Sequence, residues 1–125
     1  MRYLVSAAEM REYDRNTIER IGIPACVLME RAALAAVEII EEHCAGYGGE
    51  RHVLVMAGMG NNGGDGLAVA RLLSEKGYQV EVWTIGDRER ASEQWKQQMG
   101  ILGNYPVECT DRPKRREYAA LVDAL

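Results

Sequence analysis

Val53-Leu54-Val55-Met56-Ala57-Gly58-Met59-Gly60-Asn61-Asn62-Gly63-Gly64-Asp65-Gly66 is the stretch that decides the fold. Its first five residues form a short continuous apolar run, the pattern of a strand buried on both faces of a parallel sheet. The next nine residues hold five glycines. Without Cβ atoms in the way, backbone N–H groups can converge on one point, and a helix predicted from about Gly66 to Lys76 adds the positive end of its dipole. The reading is an anion cradle between a strand and a helix. Gly58, Gly60 and Gly63 also satisfy Gly-x-Gly-x-x-Gly, which alone is a weak signal.

Outward from this stretch the pattern continues. Leu67, Val69, Ala70 and Leu73 give the helix an apolar side, Gly77 stops it, and Gln79 to Ile85 reads as a second strand, which completes a βαβ unit. Upstream, Ser6-Ala7-Ala8-Glu9 is a capping box that predicts a helix to about Arg20. Gly22-Ile23-Pro24 breaks it and opens a second helix to about Cys44, predicted to be largely buried through Val27, Leu28, Ala32, Ala35, Ile39 and Ile40. Downstream come a helix from about Ala91 to Leu102, a weak strand at Val107 to Cys109, a charged stretch from Arg112 to Tyr118 and an apolar strand from Leu121 to Leu125. Strands alternating with helices predict an α/β, three-layer Rossmann-like fold, with a parallel sheet, two N-terminal helices and a single domain over residues 1–125. That domain is expected to be incomplete at its C-terminus, because the sequence stops on a strand with nothing to cover it.

Composition narrows the function. Fifteen Lys and Arg against nineteen Asp and Glu give a net charge of −4, the wrong sign for a general nucleic-acid or anionic-membrane binder. The basic run Arg112, Lys114, Arg115 and Arg116 reads as a solvated face. No apolar run approaches the roughly 18 residues of a membrane span, and Glu9 and Arg11 interrupt any signal-peptide core, so a cytoplasmic protein is expected. Cys26, Cys44 and Cys109 lack a Cys-x-x-Cys pairing and are expected to be buried free thiols. His43 and His52 have no partner at a metal-ligand spacing and are expected at the surface or at helix ends.

The polar content of the glycine-rich stretch asks for more than a phosphate. Asp65 beside a bound phosphate is repulsive unless a cation, a ligand hydroxyl or a proton-transfer role compensates it. The side-chain carbonyls of Asn61 and Asn62 are hard oxygens suited to a cation.

Gly58 to Leu67, followed by Ala70-Arg71, resembles the signature of the YjeF N-terminal domain, the NAD(P)H-hydrate epimerase family. The resemblance runs from Glu9-Met10-Arg11 and Asp14, through Gly22-Ile23-Pro24 and Leu28-Met29-Glu30, to Val122-Asp123-Ala124-Leu125. It implies an isomerase that interconverts the R and S forms of hydrated NADH and NADPH at C6 of the nicotinamide ring, in repair of the damaged cofactor. On matching positions, Asn61, Asn62, Gly63, Gly64 and Asp65 would bind the hydrated cofactor, and Asn62 and Asp123 would bind a potassium ion. Asp65 is a possible catalytic helper, with the main acid/base group expected beyond Leu125. The resemblance further implies a homodimer and a companion dehydratase, as a partner or a second domain. Arg31 departs from the pattern, since many members carry Asn there.

Two other classes remain open at this level. A plain NAD(P)-dependent oxidoreductase would use Gly58, Gly60 and Gly63 as its fingerprint and Asp87 as the ribose acid, late against the usual spacing of roughly 20 residues. A non-catalytic Rossmann-like binding or scaffold module would be expected to show an eroded Asn-Asn-Gly-Gly-Asp string.

Overall fold

A central strand paired on both sides organises the chain. In the computed structural model, which describes residues 21–125, β1 (His52–Ala57) pairs in parallel with β2 (Gln79–Thr84) and with β4 (Ala120–Ala124). A short β3 (Glu108–Thr110) extends the sheet beyond β2, giving the order β3-β2-β1-β4. The helices are α1 (Ala25–Cys44), α2 (Asn61–Glu75) and α3 (Glu93–Leu102). The helix expected to end near Arg20 lies outside the described residues.

Why the helices share one face follows from handedness. The β1-α2-β2 and β2-α3-β3 crossovers step in the same direction across the sheet, so right-handed connections put α2 and α3 on the same side. There α2 packs on β1, β2 and β4, with α1 and α3 flanking it. Among the described residues, then, the sheet and one helical layer of the expected three are present. Val53, Val55, Ala57, Val82, Leu67 and Leu73 form the dry centre of this layer. Each fully buried Leu contributes on the order of 2 kcal/mol through removal from water.

Local signals explain the element ends. Gly77, at φ +89°, ends α2 with a Schellman arrangement in which the Tyr78 N–H donates to the Leu73 carbonyl (3.1 Å) and the Gly77 N–H to the Ser74 carbonyl (3.0 Å). Ser92 caps α3, its hydroxyl oxygen accepting from the Trp95 N–H at 3.1 Å.

Three expectations need correction. The second predicted helix buries only a stripe, Leu28, Met29, Ala33, Val37, Ile40 and Cys44, while Val27, Leu34 and Ala35 are exposed. Its single packed side is set by α2, so the apolar residues off that stripe stay wet. The cysteines also differ among themselves, because Cys44 is buried, Cys109 half-buried and Cys26 exposed. Finally, the glycine-rich helix starts at Asn61, not near Gly66. Glycine is a poor helix former, by about 1 kcal/mol against alanine, yet close packing in this first turn outweighs propensity, as the next subsection shows.

The opposite sheet face carries His52, Leu54, Met56, Glu81, Trp83, Leu121 and Asp123, as register and alternation require. The connection from β3 to β4 crosses it. The Lys114 N–H and the Tyr118 hydroxyl donate to the two carboxylate oxygens of Glu81, at 2.9 and 2.8 Å. This is why an acidic residue lies buried in mid-strand.

Candidate functional site

Strand ends and a helix start meet where the glycine-rich string leaves β1. The Gly58 N–H donates to the Ala124 carbonyl at 3.0 Å, and the Ile85 N–H to the Ala57 carbonyl at 2.9 Å, so β1, β2 and β4 end together. Ligands of open α/β sheets bind at this carboxyl edge. The first helical bond of α2 runs from the Gly64 N–H to the Gly60 carbonyl at 3.0 Å, and no side chain caps the helix. Its earlier N–H groups and positive dipole end are therefore presented at the edge.

The glycines divide by what a side chain would meet. A Cβ at Gly63 would lie 1.9 Å from the Gly58 carbonyl oxygen, and one at Gly66 would lie 2.5 Å from the Ala124 Cβ. These two glycines let α2 press directly onto the ends of β1 and β4. Gly64 is a looser case, its virtual Cβ 3.4 Å from the Trp95 nitrogen and the Met29 methyl. At Gly60 a Cβ would meet nothing within 4 Å, and φ is −90°, a conformation open to any residue. What glycine provides at position 60 is clear space in front of the helix start.

Because the helix begins at Asn61, all five residues from Asn61 to Asp65 lie in its first turns rather than in a loop. Asn61 is exposed, Asn62 and Asp65 are half-buried, and Gly63 and Gly64 are buried. Asn62 and Asp65, three apart, share a side of the helix.

Asn62 and Asp123 are brought together through the backbone of one residue, Leu125. The Asn62 side-chain N–H donates to the Leu125 carbonyl at 2.8 Å, and the Leu125 N–H donates to Asp123 Oδ1 at 3.1 Å. Asn62 comes from the helical side. Asp123, adjacent to Ala124 that faces Gly66, leaves β4 on the other face and turns over the strand end. Asn62 Oδ1 and Asp123 Oδ2 are left as hard oxygen donors. They suit an alkali cation in type and supply two of the six or so oxygens such a cation takes. Among the described residues no group of three or more His, Cys, Asp or Glu is placed to hold a metal.

Neighbouring groups shape the same edge. The Ser92 N–H donates to the Met59 carbonyl at 2.9 Å, which ties the start of α3 to the glycine-rich string. Trp95, which sequence reading does not single out, abuts Gly64 through its backbone and carries the Arg88 guanidinium 5.8 Å above its ring. Its only advance signal is the Ser-x-x-Trp spacing of a helix start. Asp87 is occupied in turn formation, its Oδ1 accepting from the Glu89 N–H at 3.0 Å, which weakens its reading as a ribose acid. Burial pushes the Cys44 and Cys109 thiols up from their ordinary value, so neither is an activated nucleophile. The arrangement can thus hold an anion at the helix start and a cation or hydroxyl beside Asn62 and Asp123.

The chain is similar to known proteins over nearly its whole length. The family described as YjeF-related protein N-terminus matches residues 25–125. A protein of Weissella koreensis named NAD(P)H-hydrate epimerase is 47% identical over 122 residues, covering 97% of this chain and 54% of its own length. A Leuconostoc mesenteroides protein of the same name is 41% identical over 125 residues, covering 100% of this chain and 55% of its own. The crystal structure of a yeast protein, ynu0 (YNL200c), superposes with a TM-score of 0.78 at 30% identity, over 98% of this chain and 56% of that one. The chain spans about half the length of these relatives.

Proposed function

The chain belongs to the YjeF-related N-terminal family, and from that premise we propose that it carries the substrate-facing edge of an NAD(P)H-hydrate epimerase. The reaction interconverts the R and S hydrates of NADH and NADPH. The observation that carries the reading is the intact Gly58–Gly66 string at the carboxyl edge, with Asn62 and Asp123 both hydrogen-bonded to the backbone of Leu125.

In this reading Asn61, Asn62, Gly63, Gly64 and Asp65 contact the hydrated cofactor. The open space at Gly60 lets the ligand approach the uncapped N–H groups of α2. The lone pair of the ring nitrogen in the hydrate expels the C6 hydroxyl as water with acid assistance, leaving a planar iminium, and water returns to either face with loss of a proton. Water leaves and water returns, so no electrons are exchanged. Preorganised dipoles at the helix start and a proton shuttle are what such a step requires. Asp65 helps to order the pocket, and the principal acid/base group is assigned to the half of the relatives' length that this chain does not span.

Potassium fits the donors present. Asn62 Oδ1 and Asp123 Oδ2 would hold it, and when bound it supplies a fixed positive charge that organises the polar pocket. The same reading places the protein in the cytoplasm as a homodimer, feeding the S hydrate to a dehydratase, with no nucleic-acid or membrane role. Among the described residues no helix is long and apolar enough to cross a membrane.

Binding discriminates this reading from a plain oxidoreductase. The full-length protein should bind hydrated NADH in preference to intact NADH. Equally tight binding of intact NADH would overturn the proposal. In a separate measurement of epimer interconversion with potassium present, Asp65→Asn in the full-length protein should slow the reaction; unchanged rate and affinity would remove Asp65 from the pocket.

A further inference from the structure

The turn that follows β2 carries a cation that the step at C6 does not use. Gly86, at φ +122°, brings this turn against the glycine-rich string, where a Cβ on it would lie 3.0 Å from the Met59 Cγ. Two backbone bonds fix the ends of the turn: the Ile85 N–H donates to the Ala57 carbonyl at the end of β1, and the Ser92 N–H to the Met59 carbonyl, each at 2.9 Å. Arg88 lies between these ties, in the single 3₁₀ turn Arg88–Arg90.

Arg88 is held in place without being neutralised. Its guanidinium stands 5.8 Å from the centre of the Trp95 ring, and Trp95 is itself buried and packed through its backbone against Gly64. Stacking on an aromatic face orients the guanidinium plane and leaves the N–H groups along its edge to donate. Arg88 is exposed and makes no ion pair with any described residue. Asp87, the acid that could accept from a ribose 2′-hydroxyl, is folded back onto the Glu89 N–H at 3.0 Å. With three residues per 3₁₀ turn, the Glu89 side chain leaves the turn about 120° away from that of Arg88.

Resting on the epimerase reading, we infer that Arg88 binds the 2′-phosphate of the NADPH hydrate and makes the site select the phosphorylated cofactor over the unphosphorylated one. The orientation of the ligand follows from the sheet order. Asn62 and Asp123 meet on the β4 side of the α2 start, so the hydroxylated nicotinamide lies toward β4 and the pyrophosphate before the α2 N–H groups. The adenosine half then crosses β1 toward β2, one strand spacing of about 4.8 Å away. In open α/β sheets the turn after this second strand is where the ribose is read, by an acid for a 2′-hydroxyl or by an arginine for a 2′-phosphate. Here the acid is engaged and the arginine is available. A phosphate monoester carries a charge of about −1.5 to −2 at pH 7, and the guanidinium fork matches two of its oxygens.

Two measurements on the full-length protein test this subsite. With the pure R hydrates as substrates, kcat/KM for the NADPH hydrate should exceed that for the NADH hydrate by on the order of tenfold or more, and Arg88→Ala should bring the ratio close to one. A ratio taken within one protein is unaffected by loss of folded enzyme. Calorimetric titration with ADP-ribose and with its 2′-phosphate reads the subsite without the reaction: wild type should bind the 2′-phosphorylated probe on the order of tenfold more tightly, and Arg88→Ala should lose the difference. An Arg88-dependent preference in a protein that does not epimerise would sustain this inference and sink the reaction. Failure of wild type to bind either probe, equal binding of the two, or a preference that survives Arg88→Ala would overturn the inference, whether or not the protein epimerises.

Discussion

Two glycine-to-alanine substitutions three residues apart should have opposite effects. At Gly63 the new methyl would lie 1.9 Å from the Gly58 oxygen and 2.6 Å from its carbonyl carbon. Both atoms are backbone, so no side chain can swing aside, and the start of α2 must retreat by about 1 Å from the end of β1. Overpacking of this kind costs about 1 to 3 kcal/mol or more. With a urea slope of roughly 1 to 3 kcal/mol per molar, the unfolding midpoint of Gly63→Ala should fall by about 1 M. Gly60→Ala meets open space at a permitted φ, so its midpoint should hold or rise slightly, because alanine restricts the unfolded chain by about 0.4 to 1 kcal/mol. Yet its methyl occupies the space assigned to the ligand, and KM for the hydrated cofactor should rise by roughly tenfold or more. Urea titration followed by circular dichroism, alongside epimerisation kinetics, reads both effects. A Gly63→Ala protein as stable as wild type, or a Gly60→Ala protein with unaltered kinetics, would refute the division of glycines into packing and access.

Three further outcomes follow from the geometry. Tyr118→Phe removes the 2.8 Å bond to buried Glu81 and should cost about 1 to 3 kcal/mol in urea titrations. Burial, followed by the Glu81 hydrogen bond and charge, pushes the Tyr118 phenol up to about 12; the raised value means that its stabilisation is present below pH 10 and is lost between about 10 and 12, a decline that the Phe variant should lack. Glu30→Gln strips the largely buried Arg71 of its main carboxylate and, with Glu30 itself partly exposed, should lower stability by about 1 to 2 kcal/mol without changing the substrate KM. Asn62→Ala and Asp123→Asn should each raise the potassium concentration needed for half-maximal turnover in the full-length protein, and equal responses to potassium, sodium and a large organic cation would remove the ion from the account.

Much of the frame is legible from residue types alone. The Val53–Ala57 run, the glycine-rich string and the Gly77 stop each reflect a local rule, and the central parallel strand, the helix after it and its end appear where those rules place them. The start of α2 at Asn61 is not legible locally, because only the approach of Gly58 and Ala124 makes a glycine-rich turn favourable as helix. Glu81 is similar. Its burial depends on Lys114 and Tyr118, donors more than thirty residues away. On α1 a broad apolar pattern hides the fact that only one stripe packs, so Val27 and Ala35 look like core and are not. For the site, Asn62 and Asp123 stand out by residue type and position at the strand ends, but their meeting at Leu125 depends on the register of β1 with β4.

The most direct measurement is to give the full-length protein the pure R hydrate of NADH with potassium and follow both epimers by chiral separation. The account predicts that R converts to an R–S mixture far faster than in buffer, that the total of hydrated cofactor stays constant, and that Asp123→Asn slows the approach to equilibrium. A rate no faster than buffer, or loss of hydrate to an oxidised nicotinamide, would contradict it.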